Sequence, residues 1–204
     1  MHKIGESIQL SASDLVGHLN CRHLTGLDIA VANGVLEKPK IWDPLLEILR
    51  ERGARHEQDY IEHLRKSGHA VTFIDGVGVD QAAVSQTINA MMAGSDIIVQ
   101  GAFRAEGWGG RTDVLRRVDA PSDLGAWSYE VIDTKLARET KGGTVLQLCL
   151  YSNLVASVQG LTPEFSYVVA PWSNYEPQAF RTDYFAVRTI GTLRTASIRH
   201  WRAT

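Results

Sequence analysis

The sequence predicts an α/β fold: one domain with a mixed β-sheet and helices on both faces. Segments with helical and with strand-like hydrophobic periodicity interleave without strict alternation, which favours a mixed sheet over a purely parallel one. No linker, internal repeat or low-complexity segment divides the 204 residues. Because this length is enough for one large core, we expect a single domain over residues 1–204 with its core at about residues 10–185.

Composition and charge narrow the class of protein. The hydrophobic share of 44% and the charged share of 22% are typical of a soluble globular protein. No apolar run approaches the roughly 18 residues of a membrane span, and the first residues lack the apolar centre of a signal peptide. We therefore expect a cytoplasmic protein with no membrane partner. A net charge of −2 means that any site for a polyanion must be local.

The first half of the chain predicts three helices and one strand. The elements are helices at residues 11–30, 43–68 and 80–94 and a strand at residues 69–75. The second helix is the clearest, because Asp43 is suited to its N-cap, Pro44 to its first turn and Gly68 to its end. Its apolar stripe consists of Leu45, Leu49, Gly53, His56, Tyr60 and Leu64.

The second half predicts five strands and one more helix. In order these are strands at residues 96–105, 111–118 and 127–135, a helix at 144–160, and strands at 164–171 and 176–183, the last at a sheet edge. The glycines of residues 106–110 predict a hairpin or a bulge between the first two strands. Residues 186–204 have weak periodicity, consistent with a terminal helix or with a longer polypeptide cut at this point.

An acid and a lysine lie together near the end of the strand at residues 127–135. Alternate residues of a strand share a face, so Asp133 and Lys135 point to one face and Glu130 points to the other. The preceding strand carries Asp113. If the two strands form a hairpin whose loop is centred on residue 123, Asp113 lies opposite Asp133, although a slip of one residue would reverse the face.

Two carboxylates held together favour a hard cation. They repel each other unless a proton or a cation neutralises one of them, and such pairs suit Mg²⁺ or Mn²⁺. The ion would acidify a bound water and polarise a phosphoryl oxygen. Lys135 would orient or deprotonate that water, or offset charge on phosphorus. The alternative interpretation is a surface Asp–Lys pair worth at most about 1 kcal/mol.

Other polar residues accompany this pair. His56 lies on the apolar stripe of its helix, either as a satisfied core histidine or as a nitrogen ligand. Gln147 and Tyr151 share a helix face, either as donors to a phosphate or a metal-bound water or as the polar edge of a packed helix. The basic residues that would hold phosphates, or else form solvated surface, are Arg111, Arg138 and Lys141.

Four short motifs occur in a recognisable order along the chain. They are RGARHE at residues 52–57, GRTDVL at 110–115, EVIDTK at 130–135 and QLCLY at 147–151. On a helix, two strands and a helix, they resemble the RecB-like branch of the PD-(D/E)xK nuclease superfamily, especially its bacterial RecB-like nucleases. The chain is also similar to the CRISPR-associated RecB-like exonucleases. The resemblance covers roughly residues 10–185 and implies a restriction-endonuclease-like fold.

The resemblance also implies a function and roles for the matching residues. It implies a Mg²⁺- or Mn²⁺-dependent, exonuclease-like enzyme that hydrolyses DNA in repair, recombination, or CRISPR or mobile-element defence. The implied metal ligands are His56, Asp113, Asp133 and the backbone carbonyl of Thr134. The implied catalytic residues are Asp113, Asp133, Lys135, Gln147 and Tyr151. The DNA, single- or double-stranded, would contact Arg111, Arg138 and Lys141.

The chain departs in two ways from the family that it resembles. Many members of that family hold a 4Fe–4S cluster on four cysteines, but only Cys21 matches one of these, and Cys149 lies within the predicted helix at residues 144–160. We therefore expect no iron–sulfur cluster. Relatives also continue into further domains, so this chain is a fragment, a truncated product or a stand-alone domain. Further domains or protein partners would supply the rest of a DNA channel.

Two other functions remain open from the sequence. The first is a catalytically silent module that has a nuclease fold and binds nucleic acid or a protein partner, which the near-neutral charge favours. The second is a metal hydrolase that acts on a small phosphorylated substrate. Cleavage of DNA under divalent ions separates the nuclease from both.

Overall fold

Eight strands and five helices form the part of the chain that the structure describes. The structure is a computed structural model and describes residues 1–40 and 42–184. The predicted terminal segment at residues 186–204 lies outside the described residues. In chain order the elements are β1 (His2–Ile4), β2 (Ser7–Gln9), α1 (Ala12–Asn20), α2 (Arg22–Ala32), α3 (Pro44–Lys66), β3 (Val71–Phe73), α4 (Gln81–Met92), β4 (Ile97–Ala105), β5 (Trp108–Val118), β6 (Ser128–Thr134), α5 (Gly142–Gln159), β7 (Phe165–Val169) and β8 (Gln178–Arg181).

Six of these strands form one mixed sheet in the order β3-β4-β5-β6-β7-β8. The pairs β3–β4 and β6–β7 are parallel, and the other neighbours are antiparallel. β1 and β2 form a separate hairpin. The predicted mixed sheet is therefore confirmed, with β8 at its edge as expected.

Helices cover both faces of the sheet, as predicted. Leu115 and Val131 belong to the core under α1, α4 and α5, whereas Val114 and Ile132 belong to the core under α3. This division follows from the alternation of side chains along a strand. Among the described residues, no helix is long and apolar enough to cross a membrane.

The register of β5 and β6 brings two aspartates opposite each other. The paired residues run from Val114 and Ile132 to Val118 and Ser128, and every pair is centred on residue 123. One further step along the two strands places residue 113 opposite residue 133. The register expected from the middle of the loop is therefore confirmed.

The N-terminal region differs from the prediction. The expected helix at residues 11–30 is two helices, because Cys21 has an extended backbone with φ −156° and ψ 104°. Ser11 caps the first of them, and its backbone N–H donates to Asp14 Oδ2 at 2.8 Å. The β1–β2 hairpin was not predicted; it turns through Gly5, which has φ +60°.

The glycine-rich stretch contains both a turn and part of a strand. Glu106 and Gly107 have φ 52° and 80°, which suits a two-residue type I′ hairpin. The pairing of Ala105 with Trp108 closes this turn. β5 therefore begins three residues earlier than the predicted residue 111.

Only the C-terminal half of the predicted stripe on α3 is buried. Tyr60 and Leu64 are buried, whereas Leu45 and Leu49 are 61% and 44% exposed. A Cβ on Gly53 would lie 4.0 Å from Leu136, the second residue after β6. The turns of α3 before Gly53 therefore extend past the carboxyl end of β6, where the sheet no longer covers them.

Candidate functional site

Asp133 lies at the carboxyl end of β6 and its side chain is fully buried. Its side chain points toward α5, where Gln147 Nε2 donates to Oδ1 at 3.3 Å. Lys135 Nζ lies 2.6 Å from Oδ2, although Oδ2 accepts no hydrogen bond of regular geometry. The predicted face-sharing of Asp133 and Lys135 is confirmed. Glu130 bonds instead to Arg116 and Tyr167 on the other face, as its parity predicts.

Asp113 is attached to the end of β6 by its side chain. Its Oδ2 accepts hydrogen bonds from the backbone N–H and the Oγ1 hydroxyl of Thr134, at 2.7 and 2.9 Å. Thr134 is the last residue of β6, so this contact holds the carboxylate of Asp113 beside the buried carboxylate of Asp133. The two aspartates and Lys135 thus meet at the carboxyl end of the central strand β6.

The protonation of Asp133 is strongly perturbed. Burial and, to a smaller extent, the nearby charge of Asp113 raise its pKa, and Lys135 lowers it; together these effects bring the pKa from 3.8 to about 7. Near neutral pH, the pair of carboxylates therefore retains a proton for part of the time. A cation between them would favour the ionised form of both carboxylates.

Gln147 and Tyr151 lie on one face of α5, as predicted, and line the same site. Gln147 Nε2 is 3.4 Å from the Tyr151 hydroxyl as well as close to Asp133. Burial, followed by the charges of Asp133 and Asp113, raises the pKa of Tyr151. Tyr151 therefore stays a neutral hydroxyl that can donate a hydrogen bond.

Gly110 allows Tyr151 to reach this position. A Cβ on Gly110 would lie 2.5 Å from Tyr151 Cε1, which is closer than real side chains approach. The ring of Tyr151 consequently packs directly on the backbone of β5. The second glycine of the "WGG" sequence thus belongs to the packing of the site and not to the hairpin turn.

His56 is buried on the face of the sheet that α3 covers. Its Nε2 lies 2.9 Å from the carbonyl oxygen of Val169, and because a carbonyl only accepts, this nitrogen carries the proton. The same carbonyl accepts the backbone N–H of Lys135 at 3.1 Å. This geometry favours the interpretation of His56 as a satisfied core histidine beside the site.

A three-ligand metal cluster is not preformed in the described part of the chain. Within residues 1–40 and 42–184, no three His, Cys, Asp or Glu side chains come together in that way. His56 therefore forms no such group with Asp113 and Asp133 among the described residues. Its role as a metal ligand stays a prediction, as does that of the Thr134 carbonyl.

Two residues of the site, Glu57 and Gln100, were not predicted. Gln100 lies in β4 at a gap in the β4–β5 ladder, directly opposite Asp113. Its φ of 58° is left-handed, which is uncommon for a residue with a side chain. Gln100 Nε2 donates to Glu57 Oε1 at 2.6 Å, so this side chain connects β4 with α3.

Glu57 interacts electrostatically with the predicted catalytic residues. Burial raises its pKa, the charge of Asp113 raises it further, and the hydrogen bond from Gln100 and the charge of Lys135 lower it. Glu57 is therefore a third acid near the carboxyl end of β6. In the sequence, Glu57 could have been noticed because it directly follows His56. No sequence pattern indicates Gln100, because glutamine does not favour a left-handed backbone.

The three predicted nucleic-acid contacts lie in different surroundings. The guanidinium of Arg111 donates to the carbonyls of Ile74 at 2.8 Å and Gly78 at 2.9 Å, and so holds the loop after β3. Arg138 and Lys141 are exposed between β6 and α5. Arg111 thus has a role inside the fold, and contact of all three with nucleic acid stays a prediction.

Comparison with known proteins adds no relative to this description. No model of a known protein family matches the chain, and a search of curated proteins finds no significant match. The function is therefore inferred from the residues and their geometry.

Proposed function

We propose that the chain is a Mg²⁺- or Mn²⁺-dependent deoxyribonuclease with a restriction-endonuclease-like fold. The resemblance of its four motifs supports a role in DNA repair, recombination or defence against mobile elements. The observation that carries the proposal is the meeting of Asp113, Asp133 and Lys135 at the carboxyl end of β6. These are two carboxylates and one ammonium in a place where a strand would otherwise bury hydrocarbon.

The residues present fit a hard divalent ion. Asp133 Oδ2 is buried and accepts no regular hydrogen bond, and its pKa is raised partly by Asp113. Mg²⁺ commonly uses one or two protein carboxylates and completes its coordination with waters and substrate phosphates. Asp113 and Asp133 would hold the ion, together with the carbonyl of Thr134. When bound, it would polarise the phosphoryl group and acidify water.

The chain's own side chains complete the site. Lys135 is 31% exposed, so its ammonium lies between the buried Asp133 and the solvent from which a substrate arrives. There it would donate to a phosphate oxygen and offset the charge that develops during attack. Gln147 orients Asp133, and the neutral hydroxyl of Tyr151 provides a further donor.

The proposal is tested by replacing the three central residues one at a time. Asp113→Ala, Asp133→Ala and Lys135→Ala should each abolish DNA cleavage in Mg²⁺ or Mn²⁺ while the circular dichroism stays that of a folded protein. Glu130→Gln is the matched control, because this acid lies on the same strand but faces away, and it should keep its activity. Cleavage that survives all three alanine substitutions would exclude the assigned site.

A catalytically silent nucleic-acid-binding module is the second candidate. It is favoured by the contact of Lys135 Nζ with Asp133 Oδ2 at 2.6 Å, which places an ammonium on an oxygen that the ion would use. Such a module would retain DNA without cleaving it under any divalent ion. Its DNA affinity would also be insensitive to Lys135→Ala.

A further inference from the structure

A cavity of about 460 Å³ opens between α3 and the loop after β7. Its lining includes Arg52, Arg55, Leu136, Pro171 and Tyr175. None of these residues was assigned a role from the sequence motifs. The volume lies within the range of about 300–1,000 Å³ that small-ligand pockets occupy. The cavity is therefore large enough for a group of the size of a nucleotide.

The cavity carries an excess of positive charge. Neither Arg52 nor Arg55 forms an ion pair with any residue in the described part of the chain, whereas Arg50, on the same helix, lies 3.7 Å from Glu47. Asp59 is the one acid in the lining. Two guanidiniums one helical turn apart are thus available to an anion, and guanidinium suits the geometry of phosphate.

The part of the cavity that belongs to the loop after β7 is held on α3. The ring of Tyr175 stacks on His63 at 4.7 Å between centroids and on Tyr60 at 6.3 Å. Tyr175 and Asn174 have left-handed φ values of 64° and 50°. Backbone strain of this kind persists where the surroundings enforce it and is common at ligand sites.

The cavity adjoins the proposed active site. Leu136, which lines it, directly follows Lys135. His56 also lines it, and bonds to the same Val169 carbonyl as the backbone of Lys135. Leu136 and the Val169 carbonyl thus connect the cavity with the strand end that carries Lys135.

We propose that this cavity binds a phosphate of a single nucleic-acid strand next to the scissile bond, through Arg52 and Arg55. The proposal rests on the proposed nuclease function and extends it, because it assigns a single-stranded substrate path along α3. It adds a binding site that is distinct from Asp113 and Asp133 and from the basic loop at Arg138.

Binding without cleavage tests the proposal. A fluorescein-labelled single-stranded DNA oligonucleotide is titrated with the protein in EDTA, and anisotropy is read over a series of salt concentrations. Arg52→Ala and Arg55→Ala should each weaken binding several-fold and lower the slope of log K against log salt by about 0.7, the value for one phosphate contact on a single strand. Arg50→Ala is the matched control and should change neither quantity.

The outcomes separate this proposal from the proposed function. If affinity and salt slope are unchanged in the Arg52 and Arg55 variants while Asp133→Ala still abolishes cleavage, the cavity is not a phosphate site and the nuclease stands. If the two variants weaken binding but no divalent ion supports cleavage, the phosphate site stands and the nuclease fails. If Arg50→Ala weakens DNA binding as much as the other two variants, the effect comes from net charge alone, and the assigned phosphate site is wrong.

Discussion

Among the acidic and basic side chains that the structure describes, that of Asp133 is the most deeply buried. It is fully buried, lies opposite Asp113 in the ladder, and contacts Lys135 and Gln147. Its pKa of about 7 in the folded chain compares with the ordinary value of 3.8. A carboxyl whose pKa rises on folding destabilises the folded state once the pH is high enough to remove its proton. The site is therefore maintained at a cost in stability, which a bound cation would offset.

The pH dependence of stability follows from this shift. Without divalent ions, the unfolded chain loses the proton of Asp133 near pH 4 and the folded chain only near pH 7, so wild-type stability should fall over this interval relative to Asp133→Asn. Each pKa unit corresponds to about 1.4 kcal/mol. Urea unfolding of both proteins in EDTA at pH 4.5 and pH 8 measures the difference. A difference that does not grow with pH would contradict the assigned burial.

Gly110 offers a test of the packing beneath Tyr151. Gly110→Ala would place a Cβ 2.5 Å from Tyr151 Cε1 and displace the ring, with a loss of about 1–3 kcal/mol, as for other overpacked sites. DNA cleavage should fall as well, because Tyr151 leaves Gln147. Gly142→Ala is the control, since no atom lies within 4 Å of its Cβ. Unchanged urea unfolding of Gly110→Ala would exclude this close contact.

A substitution at Gln100 can show whether the position of the Glu57 side chain affects cleavage without lowering the stability of the fold. Gln100→Gly removes the amide that holds Glu57 but accepts the left-handed backbone without strain, so the free energy of unfolding should be unchanged or higher. Cleavage should nevertheless fall about 10-fold, the lower bound for losing a residue that orients a metal site. The effect should appear in kcat more than in KM. Gln58→Ala, next to Glu57 and exposed, is the control, and equal cleavage in Gln100→Gly and wild type would refute the role.

At the scale of elements, the two halves of α3 differ in how they contact the sheet. Its C-terminal half packs on the sheet through Tyr60 and Leu64, whereas its first turns extend past the end of β6. His56 lies where the two halves meet and bonds to β7. The junction thus carries both the side chain that fixes α3 on the sheet and the arginines of the proposed phosphate cavity.

This arrangement predicts that His56 is primarily structural. His56→Ala should lower the free energy of unfolding by about 0.5–1.5 kcal/mol in EDTA, because it removes a buried hydrogen bond while the Val169 carbonyl keeps the N–H of Lys135 as a donor. His69→Ala, an exposed histidine just after α3, should have no effect. If His56→Ala instead leaves the free energy of unfolding in EDTA unchanged but lowers the affinity for Mn²⁺, His56 is a metal ligand.

The sequence predicted those elements whose local pattern is strong. The N-cap at Asp43 lies as expected. The predicted helix bounds at residues 80 and 160 coincide with the N-cap Asp80 and the C-cap Gly160. The position of Asp113 opposite Asp133 followed from strand periodicity and the length of one loop. The β1–β2 hairpin was missed because its strands have three residues each, and the break at Cys21 was missed because cysteine is not a helix-breaking residue.

The rest of the site depends on tertiary contacts that no local pattern encodes. Gln100 bonds to Glu57, 43 residues earlier in the chain, and Gly110 is required only because Tyr151 packs on it. The exposure of Leu45 and Leu49 likewise depends on where the sheet ends. Periodicity predicts which face of a helix is apolar, but not how much of that face a sheet covers.

At the scale of the whole molecule, the site lies at the carboxyl end of the central strand β6, between the helical layers on the two faces of the sheet. β5 and β6 carry the aspartates, α5 supplies Gln147 from one face, and α3 supplies Glu57 from the other. The β5–β6 pairing brings the two aspartates together, and the two helical layers add Gln147 and Glu57 around them. This explains why chemically reactive residues from four distant segments of the chain form one site.

Cleavage of end-labelled DNA by wild type and Asp133→Asn, in Mg²⁺, Mn²⁺ and excess EDTA, tests the central claim most directly. Single- and double-stranded substrates are run in parallel. A nuclease with its ion at Asp113 and Asp133 predicts cleavage by wild type in at least one divalent ion, none in EDTA, and none by Asp133→Asn. Full cleavage in EDTA or by Asp133→Asn, or no cleavage by wild type under any condition, would contradict it.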